Sequence, residues 1–125
     1  GAEAQKLYNA EKIKEMRDTA IEVPVADAVA KYAMDVIIKS HPELDKSPEA
    51  VKKYVRYGSS PRGAQAIIRT ARINALSKGR YNVSYEDIRD VAYDVLRHRV
   101  FLNFEALSDG VKVEDIIDEL LKEEA

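Results

Sequence analysis

The amino-acid sequence predicts an all-α protein, a small helical bundle with short extended segments at most. Three series of apolar residues recur at intervals of three and four, which is the spacing of one helix face. No alternating run is long enough to build a sheet-based fold. The chain has 125 residues, 46% of them hydrophobic and 34% charged, which fits one compact domain with its own core.

Three helices are predicted in the first half of the chain. The clearest apolar series runs from Val25 to Ile37, and Ser40-His41-Pro42 stops it. A short helix is expected to start at Ser47-Pro48-Glu49 and to continue through Val55. Another helix is predicted from Asn9 to Asp18, with three side chains facing inward: Ile13, Met16 and Ala20.

Three further helices are predicted in the second half. The first has Ser60 as its cap and Pro61 preset at the first helical position, and it ends before Gly79. The next begins behind a Ser84 cap, with Asp87 three residues later, and an apolar stripe near the C-terminus predicts the last. The helix after Ser60 has apolar residues on two sides, so we expect it to be buried on both. One side carries Ala64, Ile67, Ile68, Ala71 and Ala75, and the other carries Ala66, Ile73 and Leu76.

Short extended segments are predicted between the helices. Residues 21–23, 81–83 and 99–104 show weak alternation of apolar and polar side chains. We expect these segments to pair with one another at most as a small ribbon.

The charge distribution is strongly asymmetric. The whole chain has 20 basic and 22 acidic residues. The segment from residue 51 to residue 80 holds eight of the basic residues and no Asp or Glu, which leaves 12 basic and 22 acidic residues elsewhere. Such a segment is typical of a surface that meets an anion, whether nucleic acid, an acidic protein or a phosphate. Its basic residues are Lys52, Lys53, Arg56, Arg62, Arg69, Arg72, Lys78 and Arg80.

Several kinds of catalytic site are not supported by the sequence. The glycine spacing of Gly58 to Gly63 is that of a phosphate-binding P-loop, but Ala64 and Gln65 follow where Lys and then Ser or Thr are required. His41 and His98 have no second ligand at metal-binding spacing, so no metal site is predicted. No serine lies in a nucleophile elbow. We therefore do not expect this chain alone to hydrolyse a nucleotide.

Arg62 is the best candidate for a functional residue. A cation is unfavourable in the first turn of a helix, because the backbone N–H groups there already present positive charge. At this position the guanidinium and nearby amides could converge on one anion, with Gly63 leaving the backbone open. The alternative is that Arg62 forms a salt bridge within the domain. For Arg69 and Arg72 a packed or paired surface role is favoured.

The motifs resemble those of a known family. GSSPRGAQAIIRTARINALSKGRYNVSYEDIRDVAYDVLRHRV, from Gly58 to Val100, resembles the C-terminal lid domain of MoxR-type AAA+ ATPases. It has the G-[AS]-S-P-R-[AG] opening, the G-R-x-x-V-[ST]-x-x-D step at Gly79 to Asp87, and the L-R-H-R end. The resemblance extends through IEVPVADAVAKYAMDVI and EALSDGVKVEDIIDELL and covers the chain from Tyr8 onward. Residues 8–125 are thus expected to form the lid domain, and residues 1–7 a disordered start or cloning remnant.

The resemblance implies a role for each part of the S-P-R motif. Arg62 would be the second sensor arginine, catalytic only together with a core domain, and Ser60, Pro61, Arg62 and Gly63 would contact the nucleotide. The cofactor implied is Mg-ATP, held mainly by an AAA+ core that carries the Walker A and Walker B motifs and is absent from this chain.

The resemblance also implies partners. These are the AAA+ core of the same protein, neighbouring subunits of a hexameric ring, and target proteins with von Willebrand A domains. With no cysteine and no apolar run of about 18 residues, the chain is expected to be cytoplasmic and to have no membrane partner. Nucleic acid is disfavoured because a helix buried on two sides lacks the exposed face of a recognition helix. A nucleic-acid-binding or protein-interaction module using residues 51–80 remains the alternative.

Overall fold

The computed structural model describes residues 2–123, and for Tyr8 and Met16 it describes the backbone alone. Seven helices lie within this range, together with one antiparallel pair of short strands. The predicted all-α helical bundle is confirmed. The helices are α1 (Ala2–Ile21), α2 (Asp27–Lys39), α3 (Glu49–Tyr54), α4 (Arg62–Ser77), α5 (Tyr85–Leu96), α6 (Phe104–Asp109) and α7 (Val113–Leu121). The strands are β1 (Val55–Tyr57) and β2 (Phe101–Leu102).

The core forms where α2, α4, α5 and α7 bury their apolar faces. The periodic residues that predicted α2, α5 and α7 are mostly buried, which confirms these three helices and their orientation. The fully buried large side chains include Val36, Ile67, Ile88, Leu96, Ile116, Ile117 and Leu120.

Helix α4 is the central helix of the bundle, and it packs against α1, α2 and α5. Its first predicted face is buried at Ala64, Ile67, Ala71 and Ala75, and Ile68 is partly buried. The opposite side is less covered, because Ala66 is buried whereas Ile73 and Leu76 are only half-buried. The two-sided burial predicted for α4 is therefore nearly complete on one side and partial on the other.

Helix α1 differs from its prediction. It runs from Ala2 to Ile21 rather than from residue 9 to residue 18. Ile13 is 50% exposed, so its predicted inward orientation is wrong, whereas Ala20 is buried. The side chain of Met16 lies outside the described part of the chain. Residues 1–7 were predicted to be a disordered start or a cloning remnant. Residues 2–7 form the first turns of α1, and residue 1 lies outside the described residues.

The short extended segments pair differently from expectation. Ile21 is the last residue of α1, so 21–23 is not a strand, and Val83 instead forms an isolated parallel bridge with Val25. Strand β2 pairs with β1, where Val55 faces Leu102. Val55 had been assigned to the helix that is now α3, which ends one residue earlier.

Candidate functional site

Arg62 is the first residue of α4, and its side chain is exposed. Within residues 2–123 its guanidinium makes no hydrogen bond or ion pair. The alternative expectation, a salt bridge inside the domain, is therefore not found in the part of the chain that the structure describes. A cation at the positive end of a helix dipole gains nothing from that helix. Arg62 is thus available to an anion outside the bundle.

The turn before Arg62 is held against the end of α2. The buried Ser59 N–H donates to the Ser40 Oγ at 2.9 Å. The Ser40 hydroxyl in turn donates to the Ile37 carbonyl at 2.6 Å, back on the last turn of α2. One serine side chain therefore joins the end of α2 to the backbone of the S-P-R turn.

His41 completes this attachment. Its Nε2 lies 2.7 Å from the Ser59 carbonyl oxygen. A carbonyl only accepts hydrogen bonds, so Nε2 is the nitrogen that carries a proton. The Ser47 hydroxyl donates to the His41 carbonyl at 2.5 Å, which fixes His41 from the other side. We call Ser40, His41, Ser47 and Ser59 the serine–histidine cluster.

Two glycines allow this close packing. A Cβ on Gly58 would lie 2.5 Å from the Ser40 carbonyl oxygen, and one on Gly63 would collide with the Ser59 Oγ. A side chain at position 58 would therefore displace the backbone at Ser40, and one at position 63 would force the Ser59 side chain to move. Glycine at positions 58 and 63 of G-S-S-P-R-G is therefore explained by packing, whether or not a ligand binds.

The start of α4 differs in detail from its prediction. The Ser60 side chain does not cap the helix, and in the described structure Ser60 contributes its carbonyl, which accepts from the Gly63 N–H at 2.9 Å. Pro61 has helical dihedral angles, φ −56° and ψ −23°, as its preset role requires. Gly63 is buried and its amide is occupied, so it leaves no open backbone donor for an anion. With the Gly63 amide occupied, Arg62 is the residue at this end of α4 that can meet an anion.

Most other basic residues between 51 and 80 have partners inside the domain. Arg72 donates to the Val23 carbonyl at 3.1 Å, which fits the packed role predicted for it. Lys52 and Lys53 are near Glu49 and Glu105, Lys78 pairs with Asp90, and Arg56 lies over the ring of Tyr57. Arg69 is exposed and, like Arg62, has no ion pair among the described residues.

Arg80 is the most fully engaged cation of the segment. Its two terminal nitrogens each donate to one oxygen of Asp87, both at 2.6 Å. Arg80 therefore has a partner inside the domain, which disfavours the alternative that it contacts an acidic partner protein. Gly79, at φ +75°, ends α4 in the left-handed conformation, and this reversal carries the chain round to Arg80.

Asp87 is fully buried and serves two purposes. Its carboxylate accepts the Ser84 N–H at 2.8 Å while the Ser84 hydroxyl accepts the Asp87 N–H, which forms the capping box of α5. Burial alone would raise the pKa of the Asp87 carboxyl, but hydrogen bonds from Arg80, Ser84 and Asn74 outweigh burial and hold this pKa well below its usual range. The G-R-x-x-V-S-x-x-D motif is thus a structural joint between α4 and α5.

No group of His, Cys, Asp and Glu side chains able to hold a metal ion is found within residues 2–123. In the same range no helix is both long and apolar enough to cross a membrane. His98 is exposed after the end of α5.

The serine–histidine cluster was not predicted from the sequence, where Ser40-His41-Pro42 was interpreted only as the end of a helix.

Comparisons with known proteins identify the family of this domain. The AAA lid domain family matches residues 47–120. Chaperone MoxR1 of Mycobacterium tuberculosis is 31% identical over 120 residues, which cover 96% of this chain and 32% of that protein. Protein MoxR of Methylorubrum extorquens is 35% identical over 80 residues, covering 63% of this chain and 23% of that protein.

A solved structure has the same fold. The crystal structure of a predicted ATPase from Cytophaga hutchinsonii superimposes with a TM-score of 0.80 and 31% identity, and it covers 86% of this chain and 33% of that one. The chain belongs to the AAA lid domain family, and the resemblance to MoxR-type AAA+ ATPases is confirmed. The chain spans about a third of the length of the MoxR1 and Cytophaga proteins.

Proposed function

We propose that this domain is the lid of a MoxR-type AAA+ ATPase and that Arg62 contacts the terminal phosphate of ATP bound by a core domain. The observation that carries the proposal is the exposed guanidinium of Arg62, which has no partner among the described residues and follows a turn that is hydrogen-bonded to α2 and His41. Arginine suits this role because its planar fork matches phosphate oxygens. Loss of the γ-phosphate on hydrolysis would remove the contact and change the angle between lid and core.

The nucleotide would be bound mainly by the core. A charge-assisted contact contributes about 1.5–3 kcal/mol, whereas millimolar affinity already requires about 4 kcal/mol. Ser60 and Pro61 would then shape the approach to the phosphate, and Mg²⁺ would be held by the core. We expect the isolated chain to bind ATP no more tightly than about millimolar.

A partly apolar cleft that begins about one helical turn after Arg62 is a suitable surface for docking of a core domain. It has a volume of about 410 Å³ and lies between α2 and α4. Gln65, one turn after Arg62, lines it together with Met34, Ile68 and Arg69. A domain that covered this cleft would also lie near Arg62.

The wider proposal concerns assembly. Lids of this kind would join neighbouring subunits into a hexameric ring in the cytoplasm, and ATP-driven movement would remodel partner proteins, including those with von Willebrand A domains. The nucleic-acid alternative is disfavoured, because α4 packs against α1, α2 and α5 and most of its side chains are buried or half-buried.

The experiment is ATP turnover by a protein that joins this chain to its AAA+ core. Replacing Arg62 by Ala should lower kcat about 10- to 100-fold, the equivalent of losing one charge-assisted contact in the transition state. Arg62→Lys should retain part of the activity, because the positive charge remains but the planar guanidinium with its paired N–H donors is lost. Turnover is measured by phosphate release at saturating ATP.

Arg56→Ala is the control, since Arg56 is also an exposed arginine of the 51–80 segment but lies on β1 and does not line the cleft between α2 and α4. Its turnover should stay within about twofold of the parent, as for a typical surface change. Near-normal turnover of Arg62→Ala would refute the sensor role. Micromolar binding of ATP to the isolated chain, measured by calorimetry, would show instead that this domain has a complete site of its own.

A further inference from the structure

The structure assigns Ser40 and His41 as positioning residues for Arg62, an inference that rests on the proposed sensor function. Both lie at the C-terminal end of α2, about twenty positions before Arg62 in the sequence. The Ser40 side chain is buried and the His41 side chain is partly buried. They act on the backbone of Ser59, three residues before Arg62.

The burial pattern singles out this cluster. Within the described residues the buried polar side chains are Ser40, Ser47, Ser59 and Asp87. Asp87 belongs to the joint with Arg80, and the other three all belong to the serine–histidine cluster. Buried polar groups destabilise a fold unless they are hydrogen-bonded. Here Ser40 and Ser59 form hydrogen bonds to the backbone of the turn before Arg62, and Ser47 bonds to the backbone of His41, so the turn is attached to the end of α2.

The bonds fix both backbone groups of Ser59. Its N–H donates to the Ser40 Oγ and its carbonyl accepts from the His41 Nε2. From Ser59 the chain reaches Arg62 through Ser60 and Pro61, and the proline ring locks one more dihedral angle. The backbone at Arg62 is therefore attached to α2 as well as to α4. A sensor side chain on such a base would follow any movement of α2 instead of moving on a free loop.

The surroundings of His41 favour a hydrogen-bonding role. Its Nδ1 lies 3.4 Å from the carboxylate of Glu43, which is largely exposed. The Nε2 bond to Ser59 is internal and shorter. Gln is a suitable replacement, because its terminal amide N–H₂ can reach the Ser59 carbonyl, whereas Phe retains a ring without any donor.

The first experiment reads the backbone directly in this chain. Ser40→Ala removes the acceptor of the Ser59 N–H, so exchange of this amide with solvent deuterium should accelerate about tenfold, as the loss of one hydrogen bond predicts. Amides in α5 and α7 should exchange at unchanged rates. An unchanged Ser59 exchange rate would overturn the inference.

The second experiment is a double-mutant cycle on ATP turnover, in the protein that joins this chain to its core. His41→Phe should lower kcat several-fold and His41→Gln should restore most of it. If His41 acts through Arg62, His41→Phe should have no further effect once Arg62 is Ala. His98→Phe, at an exposed histidine elsewhere, is the control and should leave turnover unchanged.

The outcomes separate the two ideas. Full additivity of His41→Phe and Arg62→Ala would overturn the positioning role while leaving the sensor proposal intact. If Arg62→Ala itself leaves turnover unchanged, the sensor proposal fails, and the link between the cluster and the nucleotide fails with it. In that case an accelerated Ser59 exchange in Ser40→Ala would still show that the cluster fixes the turn.

Discussion

The two ends of α4 each present an arginine, and the two are used in opposite ways. Arg62 opens the helix and is exposed without a partner among residues 2–123. Arg80 follows the end of the helix and forms two hydrogen bonds of 2.6 Å to the buried Asp87. Both belong to the same acid-free segment. Basic charge in a sequence therefore identifies neither a binding site nor a structural joint until each partner is known.

Helix electrostatics separates the two ends. Arg80 lies after the negative C-terminal end of α4, and Asp87 lies in the positive first turn of α5, so both charges are where helix dipoles favour them. Arg62 lies at the positive end of α4, where a cation is disfavoured. A residue that violates a local rule without compensation inside the domain is expected at a functional site. We therefore expect substitutions at the Arg80 end of α4 to change stability and substitutions at the Arg62 end to change activity.

The largest effect is expected at the Arg80 joint. Asp87→Ala should lower the free energy of unfolding by about 3 kcal/mol, because it leaves Arg80 without its partner and removes the α5 cap. This value is at the low end for buried ion pairs, since the Arg80 side chain is 35% exposed and can regain some hydration. Urea unfolding followed by circular dichroism measures the change.

Asp90→Ala is the matched control, one turn further along α5. Its partner Lys78 is exposed, so a much smaller loss is expected. Equal losses of unfolding free energy for the two variants would mean that burial of Asp87 adds no stability. The contrast between the two ends of α4 would then be unsupported.

The same joint should make stability depend on pH. The pKa of Asp87 is lowered in the folded protein, so the unfolded chain takes up a proton at higher pH than the folded one. The stabilisation is therefore fully present above the unfolded pKa of about 4 and is lost as the pH falls below it. The pKa values of Asp90 and Glu114 are lowered too. The pH dependence of stability in the wild-type protein therefore combines all three carboxyl groups and does not give the contribution of Asp87 alone.

Asp87→Asn isolates this contribution. The difference in unfolding free energy between wild type and Asp87→Asn should be large at about pH 7 and smaller at about pH 3. Urea unfolding at the two pH values provides the measurement. A difference that stays constant or grows toward acid would contradict the assigned direction of the pKa.

Much of this fold could be predicted from the sequence because its signals are local. The apolar spacing of α2, α5 and α7 and the capping box of Ser84 and Asp87 involve residues within a few turns of each other. Arg62 could be selected because its position against the helix dipole is visible in the sequence. Its status as an exposed residue without a described partner required the structure.

The features that could not be predicted depend on distant contacts. Ser40 and Ser59 are 19 residues apart, and no spacing rule connects a serine at the end of one helix with the turn before another. The pairing of Val55 with Leu102 spans 47 residues, so β-structure replaced the expected last turn of α3. Exposure of Ile13 had a different cause, since among the described side chains of α1 only Ala20 is buried and the others lie outside the core.

The smallest effect on stability is expected at Arg62. Arg62→Ala removes an exposed side chain with no described partner and relieves an unfavourable interaction with the helix dipole, so the free energy of unfolding should change by less than about 0.5 kcal/mol. The measurement is urea unfolding at neutral pH and low salt, where the dipole interaction is least screened. A slight gain in stability at low salt that disappears at high salt would identify the dipole as the cause. A loss of more than about 1 kcal/mol would mean that Arg62 has a structural partner. Both ends of α4 would then contribute to stability through their arginines, by different amounts.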